Sequence, residues 1–384
     1  MSLFKETYDF FRFFFKTQAE DKKIVFYAEH GDYYPNFEGL INEILKETEL
    51  TICYISSDID DPIFETTENR INPFYINYWL TWLFVFIDCK VFIMTMTDLE
   101  QFHLKRSSNS VHYLYLFHAM ASIHMMYRKG AFDHYDSILC VGPYQIEEFR
   151  RDEELYEKRA KFLVQGGYYR LERIHYNYQR YKRTVKSSSG KKTILIAPSW
   201  GEKNVIEAYG EYLSGLFLEN GFKVIVRPHP ETVKRNGSLL DKIEEQFRDN
   251  GDFLLERSVA TDDSLFRADV LICDCSGVAI EYTLGTERPV LFVDCPLKIR
   301  NPDFEELEME PFELMLRQQT GILLKTDELD QILKSVNKLL LDKDAYREKI
   351  QNFRQQNIYN FGQTSRVAAQ HVIALIENKP EQSA

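Results

Sequence analysis

The sequence predicts an α/β protein of two domains, each a parallel β-sheet covered by helices on both faces, and three observations carry that prediction. The chain has 384 residues, more than one core comfortably fills, which suggests two domains of roughly 150–200 residues. Short apolar runs alternate with helix-length segments along the whole chain. Between the halves stands VKSSSGKK (185–192), small, polar and basic, the composition of a linker.

The first half carries KIVFYA (23–28), LTICYI (50–55), KVFIMTM (90–96), VHYLYLFHA (111–119), SILCVG (137–142) and KFLVQGG (161–167). Strands this apolar, separated by helical-length segments, belong to a parallel sheet buried on both faces, so residues 1–184 read as a Rossmann-like domain. After the linker the alternation restarts. TILIAPSW (193–200) is a strand with its exit loop, NVIEAYGEYLSGLFLENG (204–221) a helix closed by Gly221, KVIVRPHP (223–230) a second strand, and SLLDKIEEQFRDNG (238–251) a helix closed by Gly251. FLLE (253–256), DVLICDCS (269–276) and PVLFVD (289–294) continue the strands. The tail from residue 345 to 377 is helical with a break near Asn360–Gly362, and its last helix is placed to pack back on the first domain. Residues 193–384 thus form a second Rossmann-like domain, and the two are expected to face each other across a cleft.

Composition narrows the function classes. With 44% hydrophobic, 28% charged and 14% aromatic residues the chain reads as soluble and globular, and its formal charge of −12 argues against nucleic acid as a general partner. The six cysteines lie mostly in apolar runs without a CxxC pair, as reduced core residues of a cytoplasmic protein do. The start of the chain lacks the pattern of a secretory signal. YWLTWLFVFIDCKVFIMTM (78–96) is interrupted by Asp88 and Lys90, so each apolar half is too short to cross a bilayer; it reads as a buried helix followed by a buried strand. YDFFRFFFK (8–16) wraps phenylalanines around a helix among Lys5, Arg12 and Lys16. It either docks on the core, meets another subunit, or inserts Phe10, Phe11, Phe14 and Phe15 into a membrane surface. Between Lys158 and Lys192 eleven Lys/Arg face the single acid Glu172, interleaved with Tyr168, Tyr169, Tyr176, Tyr178 and Tyr181. That window is either a surface for anionic lipid or a polyanionic acceptor, or a solvated linker.

In open α/β sheets ligands collect beyond the carboxyl ends of the strands. Three strand ends of the second half carry unusual residues there: Ser199–Trp200, Arg227–His229 and Asp274–Ser276–Gly277. Ser276 and Gly277 open a helix directly after a strand, where free N–H groups and the helix dipole hold a phosphate and the Ser276 hydroxyl adds a bond; the plain alternative is an N-cap serine. Asp274 suits orienting that loop better than touching an anion. Glu281, one turn on, is placed for ribose hydroxyls or is a solvated carboxylate. SDIDD (57–61) has the look of a carboxylate metal motif but lacks a second cluster to complete it, so no metal is assigned.

DVLICDCSGVAIEYTLGTERPVLF (269–292) looks like the donor-nucleotide motif of GT-B-type transferases. Together with IAPSW (196–200), VRPHP (226–230) and NFGQTSR (360–366) it most resembles the CDP-glycerol glycerophosphotransferase family of teichoic-acid-type polymer synthesis. The resemblance implies that a proline-Ser/Thr-aromatic turn, a His-Pro strand end and an Asp-x-Ser-Ser loop surround the donor diphosphate: here Ser199 and Trp200, His229 and Pro230, Asp274 and Ser276. Gly277 stands where the second serine is usual. FHAMASIH (117–124) replaces a Trp-His-Gly turn and retains His118, and GGYYR (166–170) loosely follows Gly-x-Pro-Arg. The implied donor is a CDP-activated polyol and the implied acceptor a polymer or lipid-linked hydroxyl at the cytoplasmic membrane face, with no cofactor.

For that transfer an acceptor hydroxyl attacks the distal phosphorus while CMP leaves. Arg227, His229, Ser276 and the helix start at Gly277 are expected to neutralise the developing charge. His118 is the expected base, with His30 in AEHGD as the reserve; the plain readings are a core and a loop histidine. A nucleotide-sugar glycosyltransferase of capsule or lipopolysaccharide synthesis would use the same pocket, with Glu281, Gly285 and Pro289 equally suited. A UDP-sugar 2-epimerase and a catalytically silent scaffold complete the alternatives.

Overall fold

The computed structural model describes residues 2–102, 104–185, 190–201, 203–259 and 261–377; within the linker-like stretch, residues 186–189 lie outside the described residues. Among the described residues two sheets form, parallel throughout. The first holds β1 (Ile24–Ala28), β2 (Ile52–Ser56), β3 (Ile71–Tyr75), β4 (Val91–Met94), β5 (His112–Leu116), β6 (Ser137–Cys140) and β7 (Phe162–Gln165), in the order β3-β2-β1-β4-β5-β6-β7. The second holds β8 (Thr193–Ile196), β9 (Lys223–Val226), β10 (Phe253–Leu255), β11 (Val270–Cys273), β12 (Val290–Val293) and β13 (Gly321–Leu324), in the order β10-β9-β8-β11-β12-β13. The two-sheet α/β architecture is the one expected from the sequence. Strand order reverses between β1 and β4 and between β8 and β11, and such reversals open crevices at the carboxyl ends.

Two edge strands were not foreseen. β3 contains Pro73, which has no N–H for a ladder and is tolerated because β3 pairs on one side only. β13 opens on Gly321, where a Cβ would sit 1.9 Å from the Val290 carbonyl oxygen, so only glycine lets it approach β12.

The described chain forms two compact units. One runs up to residue 119, through 127–170, and from 358 on; the other comprises 120–126 and 171–357. The division therefore falls near 170 rather than at the expected 184. The helix Tyr169–Thr184 buries Leu171, Ile174 and Tyr178, and His175 Nδ1 lies 2.9 Å from the Gly285 carbonyl oxygen, so most of this helix packs on the second unit's helix Gly277–Thr286. The last helix, Thr364–Ile376, buries Ala368, Ala369 and Val372 in the first unit's core with Phe37, Leu40 and Ile44.

Three surface expectations need correction. The helix Leu80–Phe86 is not buried throughout: Leu83 and Phe84 face the core, but Trp82 and Phe86 are each 51% exposed and stack at 5.9 Å. The phenylalanine-rich start docks through acids as well as rings. Glu6 accepts bonds from the N–H groups of Asn77 and Trp79 at 2.7 and 2.9 Å, Asp9 accepts from Tyr75 N at 3.0 Å, and Phe10 lies 5.5 Å from Trp79. Phe10 and Phe14 are half-buried, so the outward stripe is Phe4, Tyr8, Phe11 and Phe15, with Phe4 86% and Phe15 76% exposed. In the basic window Lys158 pairs with Asp152 and Asp133, Lys161 is buried beside Glu153, and Tyr168 and Tyr178 are buried, which breaks the window as one continuous surface. Among the described residues no helix is long and apolar enough to cross a membrane.

Candidate active site

The switch point of the second sheet is tied by one carboxylate. β8 exits into Pro198–Ser199–Trp200, and β11 exits into Asp274. Ser199 donates its backbone N–H to Asp274 Oδ1 at 2.7 Å and its hydroxyl to Oδ2 at 3.0 Å. Asp274 is buried, which raises its carboxyl from the ordinary value, while the two Ser199 bonds pull the other way. It acts on the neighbouring strand's exit, holding the Ser199–Trp200 turn beside β11.

β9 delivers Arg227 and His229 to the same edge, with different fates. Arg227 is 5% exposed; its guanidinium donates to Ser264 Oγ at 2.9 Å and to the Val259 carbonyl at 3.1 Å, with Glu256 at 3.7 Å. Such a buried, engaged cation anchors the segment after β10, with two of its nitrogens committed to protein oxygens. His229 caps the short helix Pro230–Arg235, its Nδ1 accepting from Glu231 N at 3.1 Å. The ring proton therefore sits on Nε2. Burial, and then the neighbouring Lys298, push the imidazole down to about 4, so at neutral pH it offers an uncharged Nε2–H donor.

Trp200 gathers the remaining groups. Its ring lies 6.2 Å from that of His229, Lys298 Nζ stands 3.3 Å from the indole centroid, and the Arg235 guanidinium carbon 4.7 Å. Lys298 follows β12, so the exits of β9, β8, β11 and β12 meet around one aromatic ring. Lys298 and Arg235 were missed from the sequence, although DCPLKIR (294–300) and HPETVKR (229–235) both place cations just past a strand.

Ser276 occupies the N-cap position of the helix Gly277–Thr286 with extended backbone, yet its hydroxyl makes no capping bond. Gly277 is exposed, and a Cβ there would meet nothing within 4 Å; of the first turn, the Ala279 N–H bonds to the Ser276 carbonyl at 3.0 Å, which leaves those of Gly277 and Val278 as the helix's candidate donors. Glu281 is half-buried one turn into the helix. This edge can therefore offer a neutral imidazole donor, helix N–H groups and two cations to an anion, beside a flat aromatic ring.

In the first unit His118 lies two residues beyond β5, half-buried, its ring 5.3 Å from that of Tyr33 and its carbonyl accepting from the Tyr168 hydroxyl at 2.8 Å. Tyr33 N–H bonds to the His30 carbonyl, so both histidine loops share Tyr33. His30 is exposed, and its Nδ1 lies 3.2 Å from Asp58 Oδ2. Burial raises the Asp58 carboxyl, but the N–H groups of Gly31 and Asp60, and His30 beside it, bring it below its ordinary value. In the same turn Asp61 caps Ile63 N at 2.9 Å. GGYYR and NFGQTSR meet in this unit. Gly167, at φ +95°, sits where a Cβ would fall 2.4 Å from the Tyr359 carbonyl and 2.5 Å from Thr364 Oγ1, and Tyr359 N–H bonds to the Val141 carbonyl. The glycine lets the returning chain close onto the exits of β6 and β7.

Comparisons with known proteins give the arrangement a context. The model of a family described as CDP-glycerol:poly(glycerophosphate) glycerophosphotransferase matches residues 9–377. No curated protein matches by sequence. Among solved structures, a histidine-to-asparagine variant of the wall teichoic acid polymerase TagF soaked with CDPG is 14% identical, with 99% of each chain covered and a TM-score of 0.59. A putative UDP-N-acetylglucosamine 2-epimerase from Listeria monocytogenes is 12% identical over 94% of this chain and 99% of that one, with a TM-score of 0.61. A glycosyltransferase from Rickettsia africae is 10% identical over 94% of this chain and 100% of that one, with a TM-score of 0.52. At such identities the structural likeness establishes a shared GT-B-like fold of two parallel-sheet α/β domains.

Proposed function

The chain belongs to the CDP-glycerol:poly(glycerophosphate) glycerophosphotransferase family, and from that membership we infer that it is a transferase moving glycerol phosphate from CDP-glycerol onto a hydroxyl of a teichoic-acid-type polymer. The observation that carries the reading is the family match over residues 9–377, nearly the whole chain. The second sheet's edge supports it in chemical terms. In the transfer, the acceptor oxygen forms a bond to the distal phosphorus, the bridging P–O bond breaks, and its electron pair leaves with CMP. Charge grows on the leaving phosphate, and the His229 Nε2–H and the helix start at Gly277 are donors of the kind that stabilise it. Ser199 and Asp274 keep the turn in place, Ser276 is available at the helix start, Glu281 is assigned to the ribose, and His118 to the acceptor proton.

Incubation with CDP-glycerol and a poly(glycerophosphate) primer should release CMP and lengthen the primer, whereas UDP-N-acetylglucosamine should be neither transferred nor epimerised. Turnover of the sugar nucleotide with CDP-glycerol untouched would replace this reading by that of a glycosyltransferase or an epimerase.

The acceptor side includes a membrane surface in this proposal. Phe4, Tyr8, Phe11 and Phe15 form one exposed helical stripe, Tyr78, Trp82 and Phe86 a second, and the Phe10–Trp79 contact joins their two segments. Exposed aromatic stripes flanked by a cation such as Lys16, itself 5.2 Å from the Tyr8 ring, suit the headgroup–acyl boundary. In liposome flotation the protein should rise with anionic vesicles and largely remain bound at high salt, because ring insertion is not screened. A Phe11→Ser/Phe15→Ser variant should stay at the bottom; equal flotation of that variant would remove these rings from the reading.

A further inference from the structure

We propose that Lys298, standing over the Trp200 ring beside Arg235, is the cation that receives the diphosphate of the nucleotide donor. The proposal rests on the transferase reading above and names the residue that recognises the donor's charge.

The position comes first. Lys298 Nζ is 3.3 Å from the Trp200 centroid, Trp200 is 6.2 Å from His229, and Trp200 adjoins Ser199, which is tied to Asp274 at the switch point. An indole face attracts a cation through its quadrupole yet accepts no ordinary hydrogen bond, so the ammonium is held in place with its N–H donors left for phosphate oxygens. Charge comes second. Among the described residues no carboxylate lies within ion-pair distance of Lys298. Its charged surroundings are Arg300, Arg235, Asp274 and Glu231, with Lys234 and neutral His229 beside them. Asp274 already accepts two bonds from Ser199, and Glu231 is taken by Lys234 and Arg235.

Burial, and then Arg300, push the Lys298 ammonium down to about 8, against the pull of Asp274. A half-buried cation among cations, short of a counter-charge, is stabilised by a bound dianion, and binding must raise its proton affinity. The arginine of the VRPHP motif is buried, and its guanidinium already donates to Ser264 and the Val259 carbonyl, whereas Lys298 donates to no protein oxygen among the described residues.

Calorimetric titration of the full chain with CDP, CMP and UDP tests this. Wild type should bind CDP more tightly than CMP, and Lys298→Gln should lose between about tenfold and a hundredfold in CDP affinity, the scale of one charge-assisted contact. CMP affinity should change far less, and Lys298→Arg should restore much of the CDP margin. Wild-type CDP affinity should be fully present above the second ionisation of the terminal phosphate, at about 6, and below the free ammonium's value of about 8, and fall as the pH rises past the latter, whereas Lys298→Arg should show no such fall on the alkaline side. A Lys298→Gln protein that keeps the CDP margin overturns the proposal and leaves the transferase reading intact. A Lys298-dependent margin for UDP, with CDP ignored, keeps the cation site and removes the cytidine donor. Wild type that binds neither diphosphate overturns both.

Discussion

Replacing His229 by alanine should lower turnover by roughly 30- to 1000-fold, about 2–4 kcal/mol of transition-state stabilisation, the scale of losing one preorganised donor at a developing anion. The geometry makes the assignment specific. Nδ1 already accepts from Glu231 N, so Nε2 carries the proton, and burial keeps the ring neutral down to about pH 4. An Nε2–H donor is present in both the neutral and the charged ring, so His229 should contribute no acid limb to the rate profile above that value. Alanine also removes the helix cap, which costs about 1 kcal/mol of stability. His229→Asn separates the two effects: asparagine caps well but its amide cannot reach the Nε2 position. It should restore the melting temperature without restoring turnover. Recovery of turnover in the asparagine variant would reduce His229 to a capping residue.

What the sequence reveals here follows from what each feature depends on. Central strands such as β1 and β11 are legible because burial on both faces demands unbroken apolar runs. Edge strands β3 and β13 escape because one free side tolerates Pro73 and one close approach requires Gly321, neither of which looks like a strand signal. The division near 170 escapes for another reason: linker composition marks a stretch without packing, but only tertiary contacts show that Leu171, Ile174 and Tyr178 belong with the second unit. At the site, strand-end position is legible and side-chain partnership is not. Arg227 and Lys298 both follow apolar strands. What separates them is that Arg227 meets Ser264 and the Val259 carbonyl, more than thirty residues along the chain, whereas Lys298 meets an indole ring.

His118→Ala should lower turnover by roughly 10²–10⁴ while leaving nucleotide affinity nearly unchanged, as expected of a general base on the acceptor side. His118 follows β5 in the first unit, whereas Ser199, His229, Asp274 and Lys298 all lie in the second. Its ring packs against Tyr33 and its own carbonyl is held by Tyr168, so the backbone that carries it is fixed on one side. His30 competes on chemical grounds. It is exposed, with a carboxylate 3.2 Å from Nδ1 that is itself fixed by two backbone N–H groups, an arrangement that orients an imidazole. Tyr33 belongs to both loops, bonding the His30 carbonyl through its N–H and meeting the His118 ring, so disturbing either histidine reaches the other. Rate profiles resolve the ambiguity where single rates do not: the variant lacking the base loses the acid limb of kcat, whereas one that merely shifts Tyr33 keeps the limb at a lower plateau. Loss of the limb in His30→Ala, with the limb intact in His118→Ala, would transfer the role to His30 and make Asp58 its positioning residue. Lost nucleotide binding in His118→Ala would show instead that His118 supports the fold.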